Sequence, residues 1–174
     1  MTGFRRLQQR TVLKTRVFSI RQEHWRGPDG NLFERQTVVH PGAVAIVPMD
    51  RQGRILFIEQ FRPATGETLL EIPAGTLEKG ERPLACAKRE LKEEIGSAAK
   101  KWKKLGELYT APGFCNELIH LYNAWDLKAA SAEKDEDEHI VVVPHSLPQI
   151  RQALRAGRIR DAKTMSALLY LAWT

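Results

Sequence analysis

Three glutamates, Glu90, Glu93 and Glu94, stand three and four residues apart within a segment patterned as a helix. At about 100° per residue they share one helical face. Like charges that close repel, and the neighbouring cations do not offset them: Lys92 projects elsewhere, and Arg89 reaches mainly Glu93 at i+4. A hard divalent cation would resolve the repulsion, because Mg²⁺ prefers carboxylate oxygens and keeps part of its water. Set against phosphate oxygens, such a cation neutralises the charge that develops as water attacks phosphorus. The plainer alternative is a solvated glutamate-rich face, and the surrounding residues decide between the two.

The elements that must position this face can be read along the chain. Leu84, Ala87, Leu91 and Ile95 recur at helical spacing, Pro83 suits a first helical turn and Gly96 a C-terminal cap, which predicts a helix from Pro83 to Gly96. A short strand, Leu69 to Ile72, precedes it and ends at Pro73-Ala74-Gly75, and Gly75 and Gly80 let the loop turn. Upstream, 12–25 and Leu32 to Val39 flank the turn signal Pro28-Asp29-Gly30 and predict an N-terminal hairpin. Ala43 to Pro48 and Ile55 to Phe61, joined by a turn over Asp50 to Gly53, predict two antiparallel strands. Downstream, 102–109 and 117–125 read as strands around the loop Thr110 to Asn116, and Ile140 to Val143 as one more. Two helices close the chain: Pro148 to Ala156, stopped by Gly157, and a second capped near Asp161 with Met165, Leu168 and Leu169 inward. The sum is an α+β fold, a mixed sheet covered by helices.

Composition narrows the functional classes. A chain of 174 residues, 43% apolar and 28% charged, has enough core-forming residues for one packed domain. Its longest apolar stretches fall far short of the roughly 20 residues that cross a bilayer. Arg5, Arg6 and Arg10 are not followed by the apolar run of a secretory signal, so a cytoplasmic protein is expected. Cys86 and Cys115 lack metal-type spacing and read as small buried hydrophobes. The net charge of +6 favours anionic partners. Nucleic acid is not the expected one, because the tryptophans at 25, 102, 125 and 173 are scattered rather than gathered in a basic groove.

The frame around the glutamates is Gly75, five residues, Glu81, seven residues, then Arg89-Glu90-Leu91-Lys92-Glu93-Glu94-Ile95-Gly96. It resembles the Nudix box, G-x5-E-x7-R-E-U-x-E-E-x-G-U with U apolar, at every fixed polar and glycine position; Ser97 departs at the last apolar one. Other segments resemble one branch of that family, the ADP-ribose pyrophosphatases. Glu59-Gln60-Phe61-Arg62 is similar to their strand-end Q-Y-R, with Phe61 in place of tyrosine. Ala111-Pro112-Gly113-Phe114-Cys115-Asn116-Glu117 is similar to their S-P-G-x-S-x-E loop, with Cys115 in place of the second serine. Asp135 to Ile140 resembles their carboxylate-bearing loop, and Val38 to Val44, Leu70 to Gly75 and Asp161-Ala162-Lys163-Thr164 also look like family segments.

This resemblance implies a Nudix fold, an α/β/α sandwich with an N-terminal β-hairpin extension. Residues 1–36 would form the extension and join a homodimer, and 37–174 the hydrolase domain. Mg²⁺, with Mn²⁺ as the alternative, would be held by Glu90, Glu94, Glu93, the Ala74 carbonyl and Glu138. Arg89 would orient Glu93, and Glu136 would act as catalytic base, the order of Glu136 and Glu138 being open. Arg62 would grip a phosphate through its planar fork. Gly113 and Glu117 would serve the substrate, Glu117 by accepting from ribose hydroxyls. Trp25, with Phe33, would stack on the base or else fill an interface. The implied reaction is hydrolysis of a nucleoside diphosphate sugar, ADP-ribose giving AMP and ribose 5-phosphate, with GDP-mannose as the rival substrate. A non-catalytic sensing or RNA-binding module is the rival class, and three retained, mutually repelling glutamates argue against it.

Overall fold

The computed structural model describes residues 3–131 and 139–173, in two compact units. One is built on 1–42 and 109–118, the other on 43–108 and 119–174.

The first unit is an antiparallel sheet of β1 (Arg5–Lys14), β2 (Ser19–Arg26) and β3 (Leu32–Val39), in that order. The expected hairpin is therefore a three-stranded sheet. The extra turn is held by Thr15, whose N–H and hydroxyl both donate to the Phe18 carbonyl at 2.9 and 2.8 Å. Every residue of β1 is exposed, so no apolar alternation marked it as a separate strand. Trp25 and Phe33 face each other across β2 and β3. The segment from 109 joins this unit through Val38, which donates to the Phe114 carbonyl and accepts from the Asn116 N–H at 2.7 and 3.1 Å.

The second unit contains β4 (Ala43–Pro48), β5 (Ile55–Arg62), β6 (Glu67–Glu71), β7 (Ala74–Thr76), α1 (Pro83–Ile95), β8 (Ser97–Tyr109), β9 (Leu118–Ala129), β10 (Ile140–His145), α2 (Leu147–Arg155) and α3 (Ala162–Trp173). Its strands form two sheets, β7-β4-β9-β8 and β10-β5-β6. β4 runs parallel to β9 and antiparallel to β7, so the first of these sheets is mixed. The expected pairing of β4 with β5 is absent apart from one bridge, Met49 to Ile55. The reason is burial: all six β4 residues are buried, as in a central strand covered on both faces.

Alternate β4 residues point into different cores. Val44 and Ile46 pack with Cys86, Ala87 and Leu91 of α1. Ala43, Ala45 and Val47 join Ile150 and Ala153 of α2 and Ala167 of α3. Helices thus cover both faces, which is the α/β/α arrangement. The inward face of α3 matches expectation only in part: Leu168 packs against the core, but Met165 and Leu169 are 41% and 61% exposed, while Thr164 and Ala167 are buried. Asp161 caps the helix by accepting from the Thr164 N–H at 2.9 Å, and this sets Thr164 inward. No helix among the described residues is long and apolar enough to cross a membrane.

α1 opens on Pro83 and closes on Gly96, whose φ of 68° is left-handed and whose N–H donates to the Lys92 carbonyl at 3.0 Å. A Cβ at Gly96 meets nothing closer than 3.7 Å, so any cost of adding one is conformational. Gly96→Ala is expected to lower stability by about 1 kcal/mol, read as a lower urea midpoint with an unchanged slope. An unchanged midpoint would show that the cap is not strained.

Candidate active site

The face of α1 that packs inward is Cys86, Ala87, Glu90, Leu91 and Glu94. Two of the three glutamates therefore sit on the buried side, Glu90 at 8% and Glu94 at 3% exposure, with Glu93 half-buried on the flank. A solvated charged face does not look like this. Burying two carboxylates one turn apart costs several kcal/mol unless donors or a cation meet them. The loop before the helix is shaped around them. A Cβ on Gly75 would lie 1.8 Å from Glu90 Oε1, so this position needs glycine for close approach rather than for the turn expected of it. Gly80, at φ 80°, makes the turn. The Ala74 N–H donates to Glu94 Oε2 at 2.9 Å.

Arg89 binds more widely than the i+4 spacing suggests. Its Nη1 donates to Glu90 Oε1 at 2.6 Å and Glu93 Oε2 at 2.9 Å, and its Nε and Nη2 hold both oxygens of Glu81 at 3.2 and 3.1 Å. The hydrogen bond to Arg89 holds the Glu81 carboxyl below its ordinary range, and the same bond raises the guanidinium. Glu81 also accepts from the Glu78 N–H at 3.1 Å, closing the loop onto the helix. The role of Glu81 is not evident from its neighbours in the sequence, where its fixed place in the motif is the available signal. The Cys86 thiol lies under this hub, with burial pushing its pKa up to about 12, and acts as the inert hydrophobe expected. Cys115 is only half-buried, because its loop runs along the surface.

Among the described residues no three Asp, Glu, His or Cys side chains converge as a ready-made cation cage. Mg²⁺ does not require one, since it is usually held by one or two carboxylates, waters and substrate phosphates. Glu90 and Glu94, hard oxygen donors on adjacent turns in a pocket that a Cβ at Gly75 would fill, fit that mode. Glu136 and Glu138 lie outside the described residues.

Arg62, at the end of β5, is half-buried, and two of its nitrogens bond Glu71: Nε to Oε1 at 2.9 Å and Nη2 to Oε2 at 2.7 Å. Nη1 remains outside that pair. Glu71 is 1% exposed and also paired with Lys163 Nζ. Burial pushes the Glu71 carboxyl up, but Arg62 and Lys163 together pull it below its usual value. In the sequence Glu71 and Lys163 stand out only as parts of family-like segments, because nothing local links residues so far apart in the chain.

The first unit holds an aromatic cleft of about 470 Å³, lined by Phe4, Trp25, Phe33, Tyr109, Gly113 and Phe114 among others. It brings together Trp25 and Gly113. The Trp25 Nε1–H donates to Glu23 Oε2 at 3.4 Å, and the Arg6 guanidinium lies 5.7 Å from the Trp25 ring centroid. Glu23 is buried, which pushes its carboxyl up, yet hydrogen bonds from Thr37, Arg6 and Trp25 leave it below its ordinary value. Glu117 is not in the cleft lining: its Oε2 accepts from the Thr110 hydroxyl at 2.9 Å, and its Oε1 stands 3.4 Å from His40 Nδ1.

Residues 39–168 match the NUDIX domain family model. An ADP-ribose pyrophosphatase of Bacillus subtilis (strain 168) is 38% identical over 172 residues, 95% of this chain and 93% of the relative. A GDP-mannose pyrophosphatase of Cronobacter sakazakii (strain ATCC BAA-894) is 34% identical over 155 residues, 82% of this chain and 81% of the relative. The crystal structure of an ADP compounds hydrolase superposes with a TM-score of 0.88 at 26% identity, covering 99% of this chain and 94% of that one. With Glu90 and Glu94 buried, and a glycine beside Glu90 that makes room for it, the chain belongs to the Nudix family and is a Nudix hydrolase.

Proposed function

We propose that this hydrolase cleaves the diphosphate of a nucleoside diphosphate sugar, with ADP-ribose giving AMP and ribose 5-phosphate. The observation that carries the reading is the pair Glu90 and Glu94, buried one turn apart against Gly75 and Ala74. The relatives that act on ADP-ribose and GDP-mannose support the substrate class. Glu90, Glu94 and the Ala74 carbonyl would hold Mg²⁺, with Glu93 and Glu138 as further contacts and Mn²⁺ as the alternative ion. Bound there, a divalent cation neutralises charge building on the phosphate oxygens.

The chain's own residues do the rest. Arg89 holds Glu93 and Glu90 in fixed directions, so the carboxylates need not reorganise during reaction. Arg62, half-committed to Glu71, keeps one guanidinium nitrogen for a phosphate oxygen. Glu136 would take the proton of the attacking water, an assignment that rests on sequence resemblance. Trp25 and Phe33 would stack on the base, with Gly113 lining the same cleft and Glu117 accepting from a ribose hydroxyl. Residues 1–36 would also join two copies in a homodimer. The exposed β1, with Leu7, Val12 and Leu13 at 40%, 49% and 49% exposure, supports this role. Sedimentation of the intact chain should then give twice the monomer mass, and a monomer at micromolar concentration would remove the dimer.

The function is tested by incubating the protein and Mg²⁺ with ADP-ribose, GDP-mannose, NADH and a capped RNA. AMP and ribose 5-phosphate are expected from ADP-ribose, and failure to cleave any sugar nucleotide would overturn the reading. Glu94→Gln should lower kcat by about 100-fold or more with the melting temperature retained; an unchanged rate at saturating Mg²⁺ would remove the central assignment. Gly75→Ala must displace Glu90, so it should raise the Mg²⁺ concentration needed for half-maximal rate, whereas an unaltered Mg²⁺ dependence would show that Glu90 is not a ligand.

A further inference from the structure

Glu71 is a fully buried carboxylate that the proposed chemistry leaves unused. Such a group is tolerated only where its charge is met. Arg62 meets it with two parallel bonds, and Lys163 of α3 meets its Oε2. The bonding does not stop there. Lys163 Nζ lies 3.1 Å from Asp161 Oδ1, and Asp161 Oδ2 accepts from the Thr164 hydroxyl at 2.6 Å. Thr164 Oγ1 in turn accepts from the Ile72 N–H at 2.9 Å. The path returns to the residue beside Glu71, so Glu71, Lys163, Asp161, Thr164 and Ile72 form a closed ring.

Both outlets of this ring lead toward the box. Along the backbone, Ile72 is followed by Pro73, whose carbonyl accepts from the Ile46 N–H at 2.8 Å, and by Ala74, whose N–H donates to Glu94. Through the side chain, Glu71 fixes the plane of the Arg62 guanidinium, which lies close enough to Glu94 to feel its charge. Residues 92 positions apart in the chain are thereby coupled, Lys163 to Glu71 and Thr164 to Ile72.

We propose that Lys163, acting with Asp161 and Thr164, is a positioning residue for diphosphate cleavage: it locks Glu71 so that Arg62 and the Ala74 backbone keep their alignment with Glu94. The inference rests on the functional reading above. A role confined to fastening α3 would use the same bonds, and the two are separated by removing the charges in pairs. Lys163→Met leaves Glu71 undercompensated and should lower both the melting temperature and kcat, the latter by about 10-fold or more, because small misplacements near reacting groups are costly. Lys163→Arg, which keeps the cation, should recover most of kcat. The double variant Glu71→Gln, Lys163→Met removes the buried mismatch and should recover the melting temperature while kcat stays low, since Arg62 has lost its two-pronged clamp.

Mn²⁺ affinity read by electron paramagnetic resonance should weaken in Lys163→Met and remain weak in the double variant. Recovery of kcat together with melting temperature in the double variant, or a wild-type kcat in Lys163→Met, would overturn the inference. A wild-type chain inactive on every sugar nucleotide would remove the functional reading and this inference with it. An active wild type beside an equally active Lys163→Met variant would remove the inference alone.

Discussion

Two carboxylates on the inward side of α1 impose the constraint that the surrounding structure serves. Glu90 and Glu94 share that side with Cys86, Ala87 and Leu91, which pack on β4, so the helix cannot rotate its charges into water without tearing out part of its core. The energetic conflict is met locally by fixed donors: Arg89 on Glu90 and the Ala74 N–H on Glu94. Gly75 follows from the same constraint, because Glu90 lies where a side chain would start. A cation and a phosphate fit a place where negative charge is already held and desolvated, since oppositely charged groups interact more strongly out of water.

Buried acids in the second unit are treated in two ways. Glu71 is neutralised by two protein cations, Arg62 and Lys163, and so is positioned as structure. The box glutamates instead gather on one shared guanidinium, with Arg89 bonding Glu81, Glu90 and Glu93. Carboxylate oxygens grouped in this way suit a divalent cation, while the Glu71 arrangement suits a brace.

Legibility in the sequence followed the range of the interactions. α1 was readable to its ends because apolar spacing, Pro83 and Gly96 are all local signals, and the box around it fixed Glu90, Glu94 and Arg89 in one frame. β1 was not, since its residues are all exposed and carry no alternation. The inward face of α3 was only partly placed, because a hydrogen-bonded threonine, Thr164, takes a core position that hydrophobicity alone assigns to Met165 or Leu169. The pairing of β4 with β9 joins strands far apart in the chain, and the brace from Lys163 to Glu71 spans 92 positions; neither leaves a local trace.

Whether Glu90 and Glu94 hold a divalent cation is measured without a substrate by titrating the intact protein with Mn²⁺, followed by electron paramagnetic resonance. Saturable binding is expected, lost when Glu90 is replaced by glutamine and displaced by excess Mg²⁺. Absence of bound Mn²⁺ both alone and with a non-hydrolysable nucleotide analogue, or binding indifferent to Glu90, would contradict it.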